Sequence, residues 1–406
     1  MKQNKKHIWY ISKYAGKPNH PGPVRQYLFT KQFARKGYPS ILVSSNSNGF
    51  DFEPFKGLYK EEKIENNFSH ITLNGPKINL GFSLKRIWSW IIFEFNLLRY
   101  FFKNRPKKND IIIVSSLSIF TFLTGVLLKK LFKVKLILEV RDIWPLTLQE
   151  VKKISSKNPF IWLLGLIEKT GYKNADYIVG SMPNLKEHVQ NVTPGHEQKV
   201  RYIPMGFDPE IFHHPKENKT RKNKDKFIAC YAGSIGNVNR VELILQAAER
   251  LQEYPDIEFY ILGDGPHKKR FQEEFKHLNN VKFFDPIPKK EVVAFLQQCD
   301  ILLNPFAKLK LYDYGISPNK WIDYMYAGKP IIVPFDGYRH MIDECGCGEF
   351  IKADDPDVLA KTILKYARMP EEKRLEMGRK GQEYLWKNLT YEKLAEKYIA
   401  LFEDES

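Results

Sequence analysis

Three short stretches and one loop gather the residue types that could do chemistry on a phosphorylated ligand. The first stretch is Gly315-Ile-Ser-Pro-Asn-Lys320, running into Trp321-Ile-Asp323. Proline suits the first turn of a helix, so Ser317, Asn319 and Lys320 should sit at a helix start. Unpaired backbone N–H groups there, with the positive end of the helix dipole, attract an anion. Lys320 could neutralise a phosphate. Asp323, one turn on, could accept hydrogen bonds from a ribose. Alone, each has a plainer reading, Lys320 as a solvated lysine and Asp323 as a helix-dipole partner. Together on one turn they favour a nucleotide site.

The second stretch is Gly233-Ser-Ile-Gly236, which follows the apolar run 227–232 and opens a helix. Small residues at such a turn let backbone N–H groups approach a phosphate, although many such turns need glycine merely to turn. The stretch is not a GxGxxG fingerprint, and the chain has no P-loop. The set expected around a donor is Gly233, Ser234, Gly236, Asn237, Arg240, Gly263, Asp264, Ile287, Ser317, Asn319, Lys320 and Asp323. The third stretch, Glu139-Val-Arg-Asp142-Ile-Trp-Pro145, places Glu139, Arg141 and Asp142 at the end of an apolar run. Charges there are costly to bury without purpose, so these three are the candidate catalytic groups. A structural ion pair is the alternative. The loop 12–25 carries Gly16, Pro18, Pro21, Gly22 and Pro23. Arg25, at the start of the next helix, is expected to reach into a cleft beside Gly16 and Gly22. An exposed loop with a solvated arginine is an equal alternative.

These stretches need a scaffold, and the rest of the sequence supplies one. Short apolar runs alternate with amphipathic helical patterns from end to end, the signature of βα units and parallel sheets. In the first half, strands are expected at 7–12, 40–45, 110–115, 135–140, 177–180 and 200–204. Helices are expected at 24–36, 84–103, 120–132 and 160–172. Residues 213–226 are polar, contain Pro215 and lack periodicity, as a linker does. The second half restarts the pattern at 227–232, with strands at 258–262, 281–284, 301–304 and 330–334 and helices at 241–253, 268–277, 290–299 and 319–327. Helices around 357–367, 371–386 and 391–402 close the chain. Ligands of open parallel sheets bind beyond the carboxyl ends of the strands, which is where the marked stretches fall.

The 406 residues exceed one hydrophobic core and suit two domains. Composition is that of a globular protein, 43% hydrophobic and 27% charged, and this excludes disordered and collagen-like classes. The net charge of +17 favours anionic partners: phosphorylated ligands, anionic lipid surfaces or nucleic acid. Cys230, Cys299, Cys345 and Cys347 lack zinc or redox spacing and are expected as reduced thiols. The apolar run after the basic start is too short for a signal peptide. No run reaches the roughly 18 to 20 apolar residues of a membrane span. Residues 87–102 come nearest, but Glu94, Asn96 and Arg99 interrupt them; they lie in an expected helix, 84–103, that carries Trp88, Trp90, Phe93, Phe101 and Phe102. Lys85, Arg86, Arg99, Lys103, Arg105, Lys107 and Lys108 flank them, and Lys129, Lys130, Lys133 and Lys135 follow. Such a helix lies either in an anionic membrane interface or inside a domain. The buried reading is favoured, because a helix apolar all round is usually internal.

The motifs resemble retaining glycosyltransferase family 4 of the GT-B fold, closest to its bacterial polysaccharide and O-antigen branch with fucosamine-transferase-like members. The resemblance rests on Glu139-Val-Arg-Asp-Ile-Trp-Pro145 and Ser317-Pro-Asn-Lys-Trp-Ile-Asp-Tyr-Met-Tyr-Ala-Gly-Lys-Pro330. Weaker landmarks are Arg35-Lys-Gly37, Ile203-Pro-Met-Gly-Phe-Asp208, Tyr231-Ala-Gly-Ser-Ile-Gly236 and Gly263-Asp-Gly-Pro266. It implies an α/β chain with two Rossmann-like doubly wound domains facing across a cleft. Residues 1–206 would bind the acceptor and 207–388 the nucleotide sugar, with a last helix, 389–406, crossing back. Asp323 falls where the family has the second glutamate of its E-x7-E motif, and Gly315 where it has the first. The family's arginine and lysine after the glycine turn appear as Ser234 and Asn239, so Lys320, Asn237 or Arg240 would neutralise phosphate. The family often has histidine where Arg141 stands. The implied activity is transfer of a sugar from a nucleotide donor, a UDP-sugar by expectation, to a glycan acceptor that is lipid-linked, in surface polysaccharide, lipopolysaccharide or capsule synthesis. No metal or other cofactor is expected. The expected location is the cytoplasmic face of the plasma membrane, as a peripheral protein. The rival readings are a nucleotide-sugar epimerase or hydrolase on a related fold, and a basic nucleic-acid-binding protein. The chain has no recognised nucleic-acid motif, so no nucleic-acid partner is expected.

Overall fold

The computed structural model describes residues 6–18, 20, 22–79, 83–210 and 225–404. The basic start through Lys5, Pro21 of the first loop and residues 213–224 of the expected linker lie outside them. The chain forms two compact units, residues 1–206 with 391–406, and residues 207–390.

The first unit is built on eight strands: β1 Ile8–Ile11, β2 Ser40–Ser45, β3 Tyr59–Glu65, β4 Phe68–Leu73, β5 Ile111–Ser115, β6 Lys135–Val140, β7 Tyr177–Gly180 and β8 Val200–Tyr202. Their order is β3-β4-β2-β1-β5-β6-β7-β8. All neighbours are parallel except β3, which runs antiparallel to β4. Strand order reverses between β1 and β5, which opens a crevice at their carboxyl ends. The central strands are buried at every residue, because helices cover both faces of the sheet. The helices are α1 Arg25–Arg35, α2 Leu84–Lys103, α3 Thr121–Phe132, α4 Leu146–Lys152, α5 Pro159–Asn174 and α6 Leu185–Val192, joined by the chain's last helix, Tyr391–Glu403.

That last helix packs on α1 through an aromatic layer. Phe29 meets Tyr398 edge-on at 4.9 Å, and Phe33 meets Phe402 at 5.1 Å. On the opposite face, Phe101 of α2 packs on Trp9 at 5.2 Å. Gly125 of α3 lies so close to Leu136 that a Cβ would stand 2.9 Å from it, and Gly171 of α5 stands as close to Phe122 of α3.

Two expectations need correction. The hairpin of β3 and β4 was not anticipated, because Tyr59–Glu65 is mostly charged and exposed. Charge is how an edge strand avoids pairing with another chain, and it erases the apolar alternation that marks a strand. The helix 84–103 is not buried all round. Trp90, Phe93, Leu97 and Phe101 face the sheet, whereas Leu84, Trp88 and Phe95 are 84%, 59% and 62% exposed.

The second unit carries six parallel strands: β9 Phe227–Ala232, β10 Ile257–Leu262, β11 Val281–Phe284, β12 Ile301–Leu303, β13 Ile331–Pro334 and β14 Gly348–Ile351, in the order β11-β10-β9-β12-β13-β14. Its helices are α7 Val241–Arg250, α8 Lys268–Glu274, α9 Lys289–Leu296, α10 Asn319–Ala327, α11 Ile342–Cys345, α12 Pro356–Ala367 and α13 Glu371–Asn388, which leaves Tyr391–Glu403 as α14. The order reverses between β9 and β12. Both units are thus doubly wound α/β sheets. All four cysteines are free thiols. No helix among the described residues is long and apolar enough to cross a membrane.

A buried ion pair ties the first unit together. Arg25 Nε donates to Glu139 Oε1 at 2.8 Å, and the two side chains are 1% and 0% exposed. The guanidinium also donates to the carbonyls of Ile203, at 2.8 Å, and Pro204. Gln26 and Tyr398 donate to the carboxylate at 3.1 and 3.3 Å. α1, β6, the segment after β8 and α14 therefore meet at one charge pair. Removing one partner leaves the other charge buried and uncompensated. Arg25→Met is expected to lower stability by about 3–5 kcal/mol in urea unfolding followed by circular dichroism. Adding Glu139→Leu should recover part of that loss.

Candidate active site

In the second unit, β9 ends at Ala232 and the chain turns through Gly233, whose φ is 147°. Gly233 N–H donates to Leu262 O at 2.9 Å and Ile235 N–H to Asp264 O at 2.8 Å. The turns after β9 and β10 thus lie backbone against backbone. Only glycine fits there: a Cβ on Gly263 would stand 2.0 Å from the Gly233 carbonyl oxygen, and one on Gly265 2.4 Å from that of Ile235. Lys268 fixes the second turn from inside, donating to the carbonyls of Gly263 and Phe284 at 2.9 and 3.1 Å. The amides of Gly233 and Ile235 are thereby engaged. Those of Ser234 and Gly236 have no protein acceptor among the described residues.

α10 begins at Asn319, directly after Pro318, whose ring offers no cap to the first amides. Its Tyr324 hydroxyl accepts from Ala232 N–H at 2.9 Å and donates to Leu303 O at 3.2 Å. This bond fixes the helix start over the ends of β9 and β12, at the reversal of strand order. Lys320 then reaches across to the glycine turn. A Cβ on Gly233 would stand 2.3 Å from Lys320 Cε, so the lysine stem occupies the space that the missing side chain leaves. Lys320 Nζ donates to Tyr231 Oη at 2.7 Å and Asn239 Oδ1 at 3.1 Å, and lies 4.3 Å from the centre of the Tyr231 ring. Tyr231 Oη and Asn239 Nδ2 both donate to Ser234 O, at 2.6 and 2.9 Å. No carboxylate pairs with Lys320 among the described residues, and burial pushes its amine down to about 7. A half-buried amine with neutral partners beside open amides is suited to an anion. Asn304, fully buried just after β12, has both side-chain polar atoms unpartnered at the same strand reversal.

The structure brings Gly233, Ser234, Gly236, Gly263, Asp264, Asn319 and Lys320 to this end of the sheet. Asn237 lies there too, bonded to His267. Ile287 sits in the turn before α9 and Ser317 just before α10. Two expected residues are otherwise engaged. Arg240 donates to Asp354 Oδ1 at 2.7 Å, which leaves Lys320 as the cation at the glycine turn. Asp323 is buried and grips Lys289 with both oxygens. Burial raises its pKa and the Lys289 ammonium opposes the rise. Lys289 and His267 escaped the sequence reading, and Tyr231 and Tyr324 stood in it only within landmark motifs, with no role of their own.

In the first unit, Arg141 and Asp142 follow β6, and their amides donate to Ser116 Oγ at 2.8 and 3.2 Å. Asp142 is exposed. Arg141 Nη1 and Trp144 Nε1 are buried donors without acceptors. Trp144 precedes a cis proline and meets Trp90 edge-on at 6.0 Å. Trp90 donates to Tyr14 Oη at 2.6 Å, and Arg86 does so at 3.1 Å. Lys13, fully buried beside Tyr14, donates to Ser47 O. Gly16 closes the loop by donating to Pro23 O at 2.7 Å, and Gly22, with φ 118°, lies under Phe50. Arg25 and Glu139 do not join this surface. They are the interior pair described above. Burial opposes the charge on Glu139, and Arg25 followed by Arg141 overcomes it and holds the carboxyl below its usual range. Among the described residues, no group of three or more His, Cys, Asp or Glu could hold a metal ion. A cavity of about 410 Å³ between the ends of α3 and α5 lies at the amino end of β7, the edge away from these residues, and its Lys129 and Lys199 cap carbonyls of the α5 terminus.

Two doubly wound units with ligand-suited turns at the reversal of strand order define a GT-B fold, and solved structures share it across nearly the whole chain. Sucrose-phosphate synthase from Thermosynechococcus elongatus superposes with a TM-score of 0.75 at 15% identity, covering 98% of each chain. Anabaena HepE in complex with UDP-glucose gives 0.64 at 12% identity, covering 97% of this chain and 98% of that one. Residues 214–384 match the family Glycosyl transferases group 1. A curated relative, D-inositol 3-phosphate glycosyltransferase of Corynebacterium urealyticum, is 24% identical over 251 residues, which are 56% of this chain and 57% of the relative. The chain thus spans little more than half the length of that relative.

Two outcomes follow. Gly263→Ala drives a methyl into the Gly233 carbonyl and should destabilise the second unit by about 1–3 kcal/mol. Gly236→Ala, whose Cβ meets nothing nearer than Ser234 Oγ at 3.7 Å, should fold and melt as the parent does. Differential scanning fluorimetry measures both. The second outcome concerns protons. With an amine near 7 in the free protein, Lys320 is mostly neutral at pH 8. An anion bound beside it would raise its pKa, so anion binding would take up a proton. Affinity should be greatest below pH 7 and fall as pH rises above it. Titration in buffers of different ionisation enthalpy should show this uptake in the parent and its loss in Lys320→Met.

Proposed function

We propose that the chain is a retaining glycosyltransferase that moves a sugar from a UDP-sugar to a hydroxyl of a lipid-linked glycan. Its role would be in bacterial surface polysaccharide synthesis of the O-antigen or capsule kind, at the inner face of the plasma membrane. The observation that carries this reading is Lys320, an amine without a carboxylate partner, set against the Gly233 turn beside the α10 start. HepE, a structural neighbour, is solved with UDP-glucose, which supports a uridine donor.

In this reading the diphosphate lies against Lys320 and the amides of Ser234, Gly236 and the α10 start. The bond from the anomeric carbon to the β-phosphate oxygen breaks, and its electron pair leaves with the diphosphate. Lys320 and the amides stabilise that charge in a site with little water to reorganise. The acceptor hydroxyl attacks the same face, and its proton passes to a donor phosphate oxygen. Arg141 and Trp144, with unpartnered donors in the first unit, orient an acceptor rich in oxygen. Asp323 gives up one of its two contacts with Lys289 to accept from a ribose hydroxyl of the donor. Arg25 and Glu139 act through the fold, by setting the end of β6 on which Arg141 and Asp142 stand.

The test is mass spectrometry of a lipid-linked acceptor incubated with a panel of nucleotide sugars. The acceptor should gain one sugar with retained configuration. Lys320→Ala should slow transfer about 100- to 1,000-fold. Arg141→Ala should keep UDP affinity and lose transfer. Interconversion of the donor without any acceptor would instead identify an epimerase and overturn the proposal.

A further inference from the structure

The outer surface of the α2, α3 and α5 layer is the largest feature that the proposed chemistry does not use. All three helices pack on one face of the first unit's sheet, and each turns an apolar stripe outward. On α2 the stripe runs through Leu84, Trp88, Ile91 and Phe95, at intervals of four, three and four. On α3 it runs through Leu123, Leu127 and Leu131, and on α5 through Trp162 and Leu166. Trp162 is 69% exposed and Leu131 50%. α3 touches both neighbours, so the stripes lie side by side. Single exposed apolar residues are ordinary, but adjoining stripes on three helices mark a surface that meets something apolar.

The charges say what. The three helices contain only two carboxylates, Glu94 and Glu168, and both turn inward. Glu94 accepts from the hydroxyls of Thr121 and Thr124 at 2.7 Å, and Glu168 accepts from Tyr172 at 3.0 Å. The same helices carry Lys85, Arg86, Arg99 and Lys103, Lys129 and Lys130, and Lys169 and Lys173. Arg99 lies over the exposed ring of Phe95, 5.7 Å from its centre. The layer therefore offers apolar side chains among cations with no outward acid. A surface of this kind fits neither water alone nor a second copy of itself, which would oppose cation to cation. It fits an anionic bilayer, where the apolar chains enter the acyl boundary and the cations meet headgroup phosphates.

We infer that the α2–α3–α5 layer is the surface by which this protein docks, peripherally, on an anionic lipid bilayer. This deepens the reading of a membrane-side acceptor given above, and it can fail without it. The 406-residue chain is sedimented with vesicles of phosphatidylcholine alone and with roughly one-third phosphatidylglycerol added. Binding is expected to the anionic vesicles and to weaken with added salt. Brominated acyl chains should quench tryptophan fluorescence, and most of that quenching should vanish in Trp88→Phe/Trp162→Phe. Phe95→Asp/Leu127→Asp should bind vesicles at least tenfold more weakly while UDP still raises its melting temperature as in the parent, which shows that the variant is folded. Equal binding to both vesicle types, or quenching unchanged in the double tryptophan variant, would overturn the inference. So would a lipid-free dimer in sedimentation velocity that Phe95→Asp/Leu127→Asp dissociates. Loss of sugar transfer with vesicle binding intact would count against the proposed reaction and not against the docking surface.

Discussion

The site of the second unit depends on one contact, that of the Lys320 stem with the bare Cα of Gly233. A side chain at position 233 would evict the lysine. A shorter residue at 320 would leave the turn without a cation. The contact sets the distance between a helix start and a strand end, and the neighbouring constraints preserve it. Tyr324 pins the helix to β9 and β12, and Gly263 lets the next turn lie directly beneath. Because the partners of Lys320 are neutral oxygens and an aromatic face, no carboxylate has to be displaced when its protonated form meets an anion. Catalysis by charge stabilisation needs such preorganisation, since a group already paired with an acid would first have to break that pair. Arg240, held by Asp354, shows the contrast within the same turn.

The first unit handles charge the other way. Arg25 and Glu139 are fully buried, and besides each other they bond to two carbonyls, an amide side chain and a tyrosine. A buried pair of this kind adds little net stability over an apolar equivalent, but it penalises any packing in which its partners are misplaced. Four segments distant in sequence must arrive together. The reward is the exit angle of β6, and hence the place of Arg141, Asp142 and Trp144.

Much of this was legible in the residues. The alternation of apolar runs with helical patterns reports the α/β sheets, because strands buried on both faces read as unbroken apolar runs. Pro318 marked the start of α10 to the residue, since its ring suits a first turn and no other part of a helix. What stayed hidden depends on partners far along the chain. Arg25 and Glu139 are 114 positions apart, as are Arg240 and Asp354. No local pattern tells a solvated arginine from one enclosed by carbonyls. Lys289 and Asp323 are hidden likewise. The charged edge strand β3 carries no alternation to detect. The helix 84–103 misled because its inner and outer faces are both apolar: the spacing of the apolar residues is the same whether sheet or solvent lies beyond them.

The return of α14 to the first unit bears on biosynthesis. Tyr391, Leu394, Tyr398 and Phe402 belong to the same core as Phe29 and Phe33, yet they emerge from the ribosome only after the whole of residues 207–390. Domains usually mature in the order of translation. Here the second unit has all its strands in hand first, while the leading one waits with an aromatic groove uncovered and one ligand of the Glu139 carboxylate still unmade. A nascent chain of this topology keeps that aromatic groove open until the thirteen residues of α14 are made and can cover it.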